Sequence, residues 1–229
     1  MIMLTFDIET RTGRWQRVVT VKQLVIAGWT GRDADAMEKH IRELEALGVK
    51  RPAATPVFYR VAAQRLQSQP AIQVSGNASS GEVEFLLLKD QGEIYVGIAS
   101  DHTDREVETY GITVSKQMCD KPCAQVLWRL ADIVKHWDQL ILRAYATIDG
   151  ERVLYQQGPV TAMRSPEDLL DRFAEHGGSF DDGTAMLCGT LAAIGGIRMG
   201  DRFEIELEDP VLARSLHHAY AVETLPVHG

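Results

Sequence analysis

The sequence predicts an α+β fold in which β-strands predominate. From about residue 70 onward, short runs of alternating apolar and polar residues are separated by glycine-containing turns, a pattern typical of β-strands. The pair Asp149-Gly150 lies between two such runs and indicates a tight hairpin. Two other segments carry the composition and end signals of α-helices. The chain has 229 residues, 45% of them hydrophobic, which is enough to form a sizeable core.

The first part of the chain combines predicted strands with one helix. Residues 1–28 are expected to form short strands, among them 15–20 and 23–27. Residues 34–47 are rich in helix formers, carry apolar residues at helical spacing and end before Gly48. We therefore expect residues 1–69 to contain strands and a helix, residues 70–229 to form a β-rich body, and the two parts to make one structural unit.

The second part consists of predicted strands with one further helix. This helix is expected from Pro166 to about Glu175, with Ser165 as its cap and Gly177-Gly178 as its end. The segment at residues 128–137 fits a helix or a strand, and the pattern does not decide between them. Strands are predicted at residues 81–89, 93–100, 139–148, 152–156 and 202–208.

Charge and apolar patterning exclude several classes of function. A net charge of −8 argues against nucleic-acid binding, which needs a concentrated basic face. No apolar run approaches the ~18 residues of a membrane span, and the first residues lack a signal-peptide pattern. Three cysteines, an odd number, fit a reducing compartment. We expect a cytoplasmic protein that binds neither nucleic acid nor membranes.

Two carboxylates occur in an otherwise apolar predicted strand. Glu82 and Glu84 are two residues apart, so they share one face of a strand, and their charges repel unless a cation or proton intervenes. Asp101 follows where the partner strand is expected to end. Three oxygen ligands suit Mg²⁺, with Mn²⁺ as a substitute, better than zinc. Alternatively, the two glutamates form the solvent side of a half-exposed strand.

Further motifs occur around these carboxylates in an order that is found in one family. His40-x-x-Glu43 precedes them, the segment Ser100-Asp101-His102-Thr103-Asp104-Arg105 contains the third carboxylate, Lys116 follows it, and Gly189-Thr190 comes near the C-terminus. In these motifs the sequence resembles the fumarylacetoacetate hydrolase superfamily, and most closely the DUF2848 family within its orbit. It departs from the superfamily pattern at Ser100, where an Asn is usual, and at Leu191, where a Pro is usual.

The resemblance implies a fold, an assembly and a set of site residues. The implied fold is a mixed β-sandwich roll with a short helical lid, and the implied assembly is a homodimer. Glu82, Glu84 and Asp101 would bind the divalent metal ion. The implied catalytic residues are His40 as general base, Glu43 as its partner and Lys116 as a cation; the implied substrate-binding residues are Arg105, Gly189 and Thr190.

These residues support one reaction class with two alternatives. The expected function is divalent-metal-dependent hydrolysis of a C–C bond in an acylpyruvate-like or other 1,3-dicarbonyl or 2-oxo acid substrate, because a metal ion can stabilise the enolate that forms when the bond breaks. Decarboxylation or isomerisation of a 2-oxo acid needs the same stabilisation without an activated water. The second alternative is a degenerate, non-catalytic protein that binds a small carboxylate.

Overall fold

A computed structural model describes residues 1–46, 51–52 and 54–228 of the chain, with the backbone alone described at Ala36, His40 and residues 43–46. Strands make up 50% and helices 21% of the structure, so the prediction of a mainly β, α+β fold is confirmed. The helices of the described chain are α1 (Ala34–Ala46), α2 (Arg105–Tyr110), α3 (Ile112–Met118), α4 (Leu130–Ile133) and α5 (Pro166–Glu175). Its strands are β1 (Ile2–Thr10), β2 (Gly13–Val21), β3 (Gln23–Gly28), β4 (Val57–Val61), β5 (Leu66–Gln67), β6 (Ala71–Ser75), β7 (Ser79–Ser80), β8 (Val83–Asp90), β9 (Glu93–Ser100), β10 (Thr103–Asp104), β11 (Lys121–Pro122), β12 (Val126–Arg129), β13 (Ile141–Ile148), β14 (Glu151–Pro159), β15 (Thr184–Thr190), β16 (Arg202–Asp209) and β17 (Arg214–Leu225).

Within these residues, most strands belong to one of two sheets. The larger sheet has the order β2-β1-β12-β9-β8-β15-β3-β4, and the smaller one has the order β14-β13-β16-β17-β6. The larger sheet is mixed: β1 with β12 and β15 with β3 are parallel pairs, whereas β8 is antiparallel to both β9 and β15. Strands from both predicted parts of the chain share the larger sheet, and the division at residue 69 stays a prediction.

The larger sheet buries both of its faces. On one face, Phe85 and Leu87 of β8 belong to a cluster with Leu142 and Leu207 of the smaller sheet. On the other face, side chains from opposite edges of the sheet form a second cluster that includes Leu86 of β8. Strands from opposite edges can meet only if the sheet curls, as a twisted sheet of this width does. The central strand β8 therefore lies in the interior.

The local signals that predicted helices and the hairpin are confirmed. α1 covers the expected segment up to Ala46, and Leu47 and Gly48 lie outside the described residues. In α5, the Ser165 side chain accepts a hydrogen bond from the Asp168 N–H, as the capping prediction requires. Asp149 and Gly150 both have positive φ, which is the geometry of a tight hairpin turn between β13 and β14.

Other local predictions need correction or completion. The predicted strand at residues 81–89 begins at Val83 instead, which leaves Glu82 just ahead of β8. The ambiguous segment at 128–137 is divided between the end of β12, the helix α4 and a 3₁₀ segment. Among the helices that the structure describes, none is both long enough and apolar enough to span a membrane.

Candidate active site

A cavity of about 520 Å³ opens beside β3, β4, β8 and β15, next to α1, α2 and α3. This volume is typical of small-molecule sites. We call Glu82, Glu84, Arg105, Lys116, Gly189 and Thr190 its polar lining, and Trp29, Met37, Tyr59, Ile112, Ala162 and Ile197 its apolar lining. The structure therefore brings residues that are more than 100 positions apart in the sequence to one cavity.

The three carboxylates predicted as metal ligands converge beside this cavity. One oxygen from each of Glu82, Glu84 and Asp101 lies within 4.8 Å of the other two. The register of β8 and β9 causes this convergence, since the Asp101 N–H donates to the Glu82 carbonyl at 2.9 Å. Glu84 is only 2% exposed. The alternative of a solvent-facing strand is therefore wrong for Glu84, because the curled sheet buries both faces of β8.

Asp101 lies between two buried lysines. Its Oδ2 accepts a hydrogen bond from Lys116 Nζ, and its Oδ1 is 3.2 Å from Lys121 Nζ. Burial alone would raise the pKa of Asp101, but the two ammonium groups outweigh it and lower this pKa to about 2. Lys121 Nζ also donates to the carbonyls of His102 at 2.5 Å and Cys119 at 3.1 Å. Lys121 thus fixes the loop that carries Asp101.

Glu82 and Glu84 line the cavity in surroundings that disfavour their ionised forms. Burial, followed by the charge of Asp101, raises the pKa of Glu84 well above its usual value. Burial also raises the pKa of Glu82, although Arg105 opposes this effect. One Glu84 oxygen accepts the Gly189 N–H at 2.7 Å, which orients the carboxylate. Buried carboxylates with raised pKa values are stabilised when a cation binds between them.

Arg105 is held in place by acids and by a serine. Its Nη2 lies 3.2 Å from Glu82 Oε1, its Nη1 lies 3.0 Å from Glu108 Oε2, and its Nε donates to Ser80 Oγ at 2.7 Å. Asp104 positions the arginine, because its side chain caps α2 by accepting the Val107 N–H. The predicted substrate-binding arginine therefore lines the cavity with its charge already shared by two carboxylates.

Gly189 and Thr190 line the cavity with their donors engaged inside the protein. The Gly189 N–H is used by Glu84, and the Thr190 hydroxyl donates to the Val83 carbonyl at 2.8 Å. Gln156 supports this arrangement, since its amide donates to Thr190 Oγ1 at 2.8 Å and accepts the Val83 N–H at 2.9 Å. In this arrangement both residues organise the end of β8, and their predicted contact with a substrate carboxylate stays a prediction.

A buried hydrogen-bond network lies behind Asp101. His102 is fully buried, with Nδ1 3.1 Å from the Tyr220 hydroxyl and Nε2 2.9 Å from Ser79 Oγ. The Tyr220 hydroxyl is also 2.7 Å from Ser100 Oγ, which accepts the Glu82 N–H at 3.2 Å. Burial, with smaller effects of Lys121 and Arg105, lowers the pKa of His102 to about 3. This neutral histidine therefore belongs to the support of the acidic cluster.

The acidic cluster fits a hard divalent cation. All three side chains offer oxygen donors, which Mg²⁺ and Mn²⁺ prefer. Glu84 keeps one oxygen that the Gly189 N–H does not use, and Glu82 keeps one that is not paired with Arg105. Burial raises the pKa of both glutamates, and the neighbouring protein cations do not offset this effect. Glu82, Glu84 and Asp101 are therefore the residues that would hold such an ion.

Two predicted catalytic residues lie on α1. His40 and Glu43 are on this helix, but their side chains lie outside the described residues. Asp33, directly before α1, and Met37 in its first turns line the cavity. The start of the predicted lid helix therefore borders the site, and the roles of His40 and Glu43 stay predictions.

Three residues of the site were not predicted from the sequence. Lys121 is a single lysine between Cys119 and Cys123, and nothing in the local pattern predicts its burial against Asp101. Gln156 lies in the predicted hairpin around Asp149-Gly150 and reaches the site only through long-range packing. Glu108 does carry a signal, because it lies three residues after Arg105 and this spacing favours an ion pair on a helix; the helix itself was not predicted.

A protein-family model described as "Protein of unknown function (DUF2848)" matches residues 27–220, which is most of the chain. The chain belongs to the DUF2848 family. The resemblance predicted from the motifs is thereby confirmed. The match extends from β3 to β17 and includes every residue of the polar lining, so these residues belong to the DUF2848 region. No curated protein gives a significant match to this DUF2848 sequence.

Solved structures share the fold of this DUF2848 protein. A fumarylacetoacetate hydrolase family protein of yeast superposes with a TM-score of 0.62 at 18% identity, covering 91% of this chain and 95% of that one. The structure of 2-keto-3-deoxyarabinonate dehydratase gives a TM-score of 0.64 at 15% identity, covering 92% and 77%. At such identities the similarity shows a common fold, which confirms the predicted β-roll type and leaves the reaction open.

Proposed function

We propose that this protein is a divalent-metal-dependent hydrolase that cleaves a C–C bond in an acylpyruvate-like or other 1,3-dicarbonyl or 2-oxo acid substrate. The observation that carries the proposal is the convergence of Glu82, Glu84 and Asp101 within 4.8 Å at the edge of a small-molecule cavity. The names of the structural relatives, a fumarylacetoacetate hydrolase family protein and a 2-keto acid dehydratase, agree with this class of chemistry.

The cation bound at these carboxylates is proposed to be Mg²⁺ or Mn²⁺. When bound, such an ion supplies Lewis-acid stabilisation to negative charge on the oxygens of the 2-oxo acid. Lys116 lines the same cavity, and its pKa is raised because the effect of Asp101 and the neighbouring carboxylates exceeds that of burial. It is therefore a permanent cation at neutral pH that can hold the substrate's carboxylate or oxyanion.

The proton transfer of the hydrolytic reaction is assigned to His40. It would accept a proton from the attacking water, with Glu43 stabilising the imidazolium that forms. Met37, three residues before His40 on α1, lines the cavity, which supports a role for this helix at the site. Gly189, Thr190 and Gln156 act by holding Glu84 and the end of β8.

The first test of the proposal is isothermal titration of metal-stripped protein with Mg²⁺ and Mn²⁺. Saturable binding near one ion per chain, lost in Glu84→Gln and kept in Glu106→Gln, is the expected result. Glu106 is a suitable control because it is an exposed residue of α2 outside the cavity lining. Absence of binding to the parent protein would contradict the metal-dependent mechanism and favour a small-carboxylate binding protein.

The second test uses turnover of acylpyruvates and oxaloacetate by the metal-loaded protein. His40→Ala should abolish hydrolysis while metal binding is retained, because the residue is assigned to water activation alone. Unchanged hydrolysis in this variant would contradict the assignment. Decarboxylation of oxaloacetate that survives the same substitution would instead identify the enzyme as a 2-oxo acid decarboxylase.

The proposals for assembly and compartment rest on family resemblance and composition. We propose a cytoplasmic homodimer. Light scattering after size-exclusion chromatography should give twice the mass of the chain, and a monomer mass would contradict the dimer.

A further inference from the structure

We propose that the enzyme selects substrates whose acyl group is uncharged and apolar, and that it discriminates against substrates with a second carboxylate at the far end of that group. This inference rests on the proposed function, because it specifies the chemical character of the substrate's acyl group, which projects away from the acidic cluster. It names a substrate class that the acidic cluster alone does not define.

Both polar and apolar side chains line the cavity, and the two sets meet where Lys116 Nζ lies 5.9 Å from the centre of the Tyr59 ring. A chelating 2-oxo acid head group would occupy the polar lining, where Glu82, Glu84 and Lys116 are. The rest of the substrate then meets the apolar lining, which includes Trp29, Met37, Tyr59, Ile112, Ala162 and Ile197. Ile197 is 54% exposed, so part of its side chain is available to cover an acyl chain. Contact of an alkyl group with these side chains removes apolar surface from water and favours binding.

The charges beside the apolar lining disfavour a second carboxylate. Among the cavity residues that the structure describes, Glu108 and Asp33 are the carboxylates outside the acidic cluster. Among the cavity residues that the structure describes, the cations are Arg105 and Lys116. Arg105 is paired with Glu82 and Glu108, and Lys116 is paired with Asp101. A carboxylate at the end of the acyl group would therefore lose water and gain acidic neighbours.

Glu108 is the specificity-determining residue that this arrangement points to. It lies on α2 with 29% of its side chain exposed, and its Oε2 accepts from Arg105 Nη1 at 3.0 Å. As an acid it neutralises part of the Arg105 charge that a dicarboxylate would otherwise use. Replacing it by Gln removes the negative charge and keeps a side chain of the same shape, so the variant should accept a dicarboxylate more readily.

The test compares 4-methylpentanoylpyruvate with succinylpyruvate, two compounds of similar shape that differ by the terminal carboxylate. We expect the Mg²⁺-loaded enzyme to show a kcat/KM at least 10-fold higher for the uncharged compound. Glu108→Gln should reduce this ratio at least threefold, and Glu106→Gln should leave it unchanged. Ile197→Lys, which adds a cation to the apolar lining, should reduce the ratio further. Equal or better turnover of succinylpyruvate by the parent enzyme would overturn the proposal.

Binding measurements keep the inference separate from the proposed function. Dissociation constants of the same two compounds for the Mg²⁺-loaded protein are obtained by calorimetry, and tighter binding of the uncharged compound supports the inference even if neither is hydrolysed. Lack of turnover would then contradict only the proposed reaction. Equal or tighter binding of succinylpyruvate, or binding of neither compound, would overturn the inference.

Discussion

The buried histidine behind the acidic cluster should make folding stability depend on pH. Burial lowers the pKa of His102 from 6.5 to about 3 in the folded protein. The unfolded chain takes up a proton on this residue below about pH 6.5, whereas the folded chain does so only near pH 3. Protonation therefore favours unfolding, so this contribution to stability is fully present above pH 6.5 and is lost as the pH falls toward 3.

The magnitude follows from the difference between the two pKa values. Between pH 6.5 and 3, the unfolded state holds about one proton more than the folded state, which corresponds to a slope of about 1.4 kcal/mol per pH unit. Between pH 7 and 5 the loss in the free energy of unfolding amounts to about 2 kcal/mol. That is a large fraction of the ~5–15 kcal/mol that stabilises an ordinary domain.

The assay is urea unfolding of metal-stripped protein at several pH values from 7 to 5, for the parent and for His102→Gln. Gln keeps polar atoms toward Tyr220 and Ser79, with which His102 is hydrogen bonded, and cannot be protonated. The raised pKa of Glu84 has the opposite effect on stability, but it is common to both proteins and cancels in their difference. The parent should lose about 2 kcal/mol more than the variant. Parallel pH profiles of the parent and His102→Gln would refute the reasoning. The control is His217→Gln, which should resemble the parent because the His217 side chain is 65% exposed.

Two further predictions concern the supports of the site, and a third concerns the buried cysteines. Lys121→Met should lower the free energy of unfolding by about 3–5 kcal/mol in urea titrations, because it removes a buried cation from Asp101 and from two carbonyls; an unchanged midpoint would show that this lysine is dispensable. Gly189→Ala should cost about 1–3 kcal/mol and weaken Mg²⁺ binding, because Gly189 has φ +96° and an added Cβ would collide with the Thr30 hydroxyl; calorimetry on the folded variant checks the second part. The three cysteines are buried and burial raises the pKa of each thiol, so the native protein should resist Ellman's reagent and the urea-unfolded protein should react at all three; rapid reaction of the native protein would contradict their burial.

The acidic cluster could be predicted from the sequence, because the geometry of the cluster depends on strand periodicity and on the pairing of two consecutive strands. Glu82 and Glu84 share a face by the two-residue repeat, and Asp101 is brought beside them by the antiparallel pairing of β8 and β9. Both strands have strong local signals. The order of the motifs predicted that the lid helix and Lys116 belong to the same site. In the structure, Lys116 forms an ion pair with Asp101.

The supports of the cluster could not be predicted in this way because they depend on packing between distant segments. Lys121 has the local appearance of a surface lysine, and it is buried because β11 pairs with β5 more than 50 residues earlier in the chain. α2 and α3 were missed because the segment contains β-branched residues and Gly111 between two short helices. The Asp104 cap was present in the sequence, but a single cap three residues before an apolar position occurs in many turns.

The balance of charge in the site connects the metal proposal with the substrate inference. The connected group of charges around the acidic cluster, which does not include the cavity residue Asp33, has four carboxylates and three protein cations and therefore one net negative formal charge. A divalent cation would change this to one net positive charge, which a substrate with a single carboxylate neutralises. A dicarboxylate would leave a negative charge in a largely buried site, where it is poorly solvated and costly. The residues counted are Glu82, Glu84, Asp101 and Glu108 against Arg105, Lys116 and Lys121.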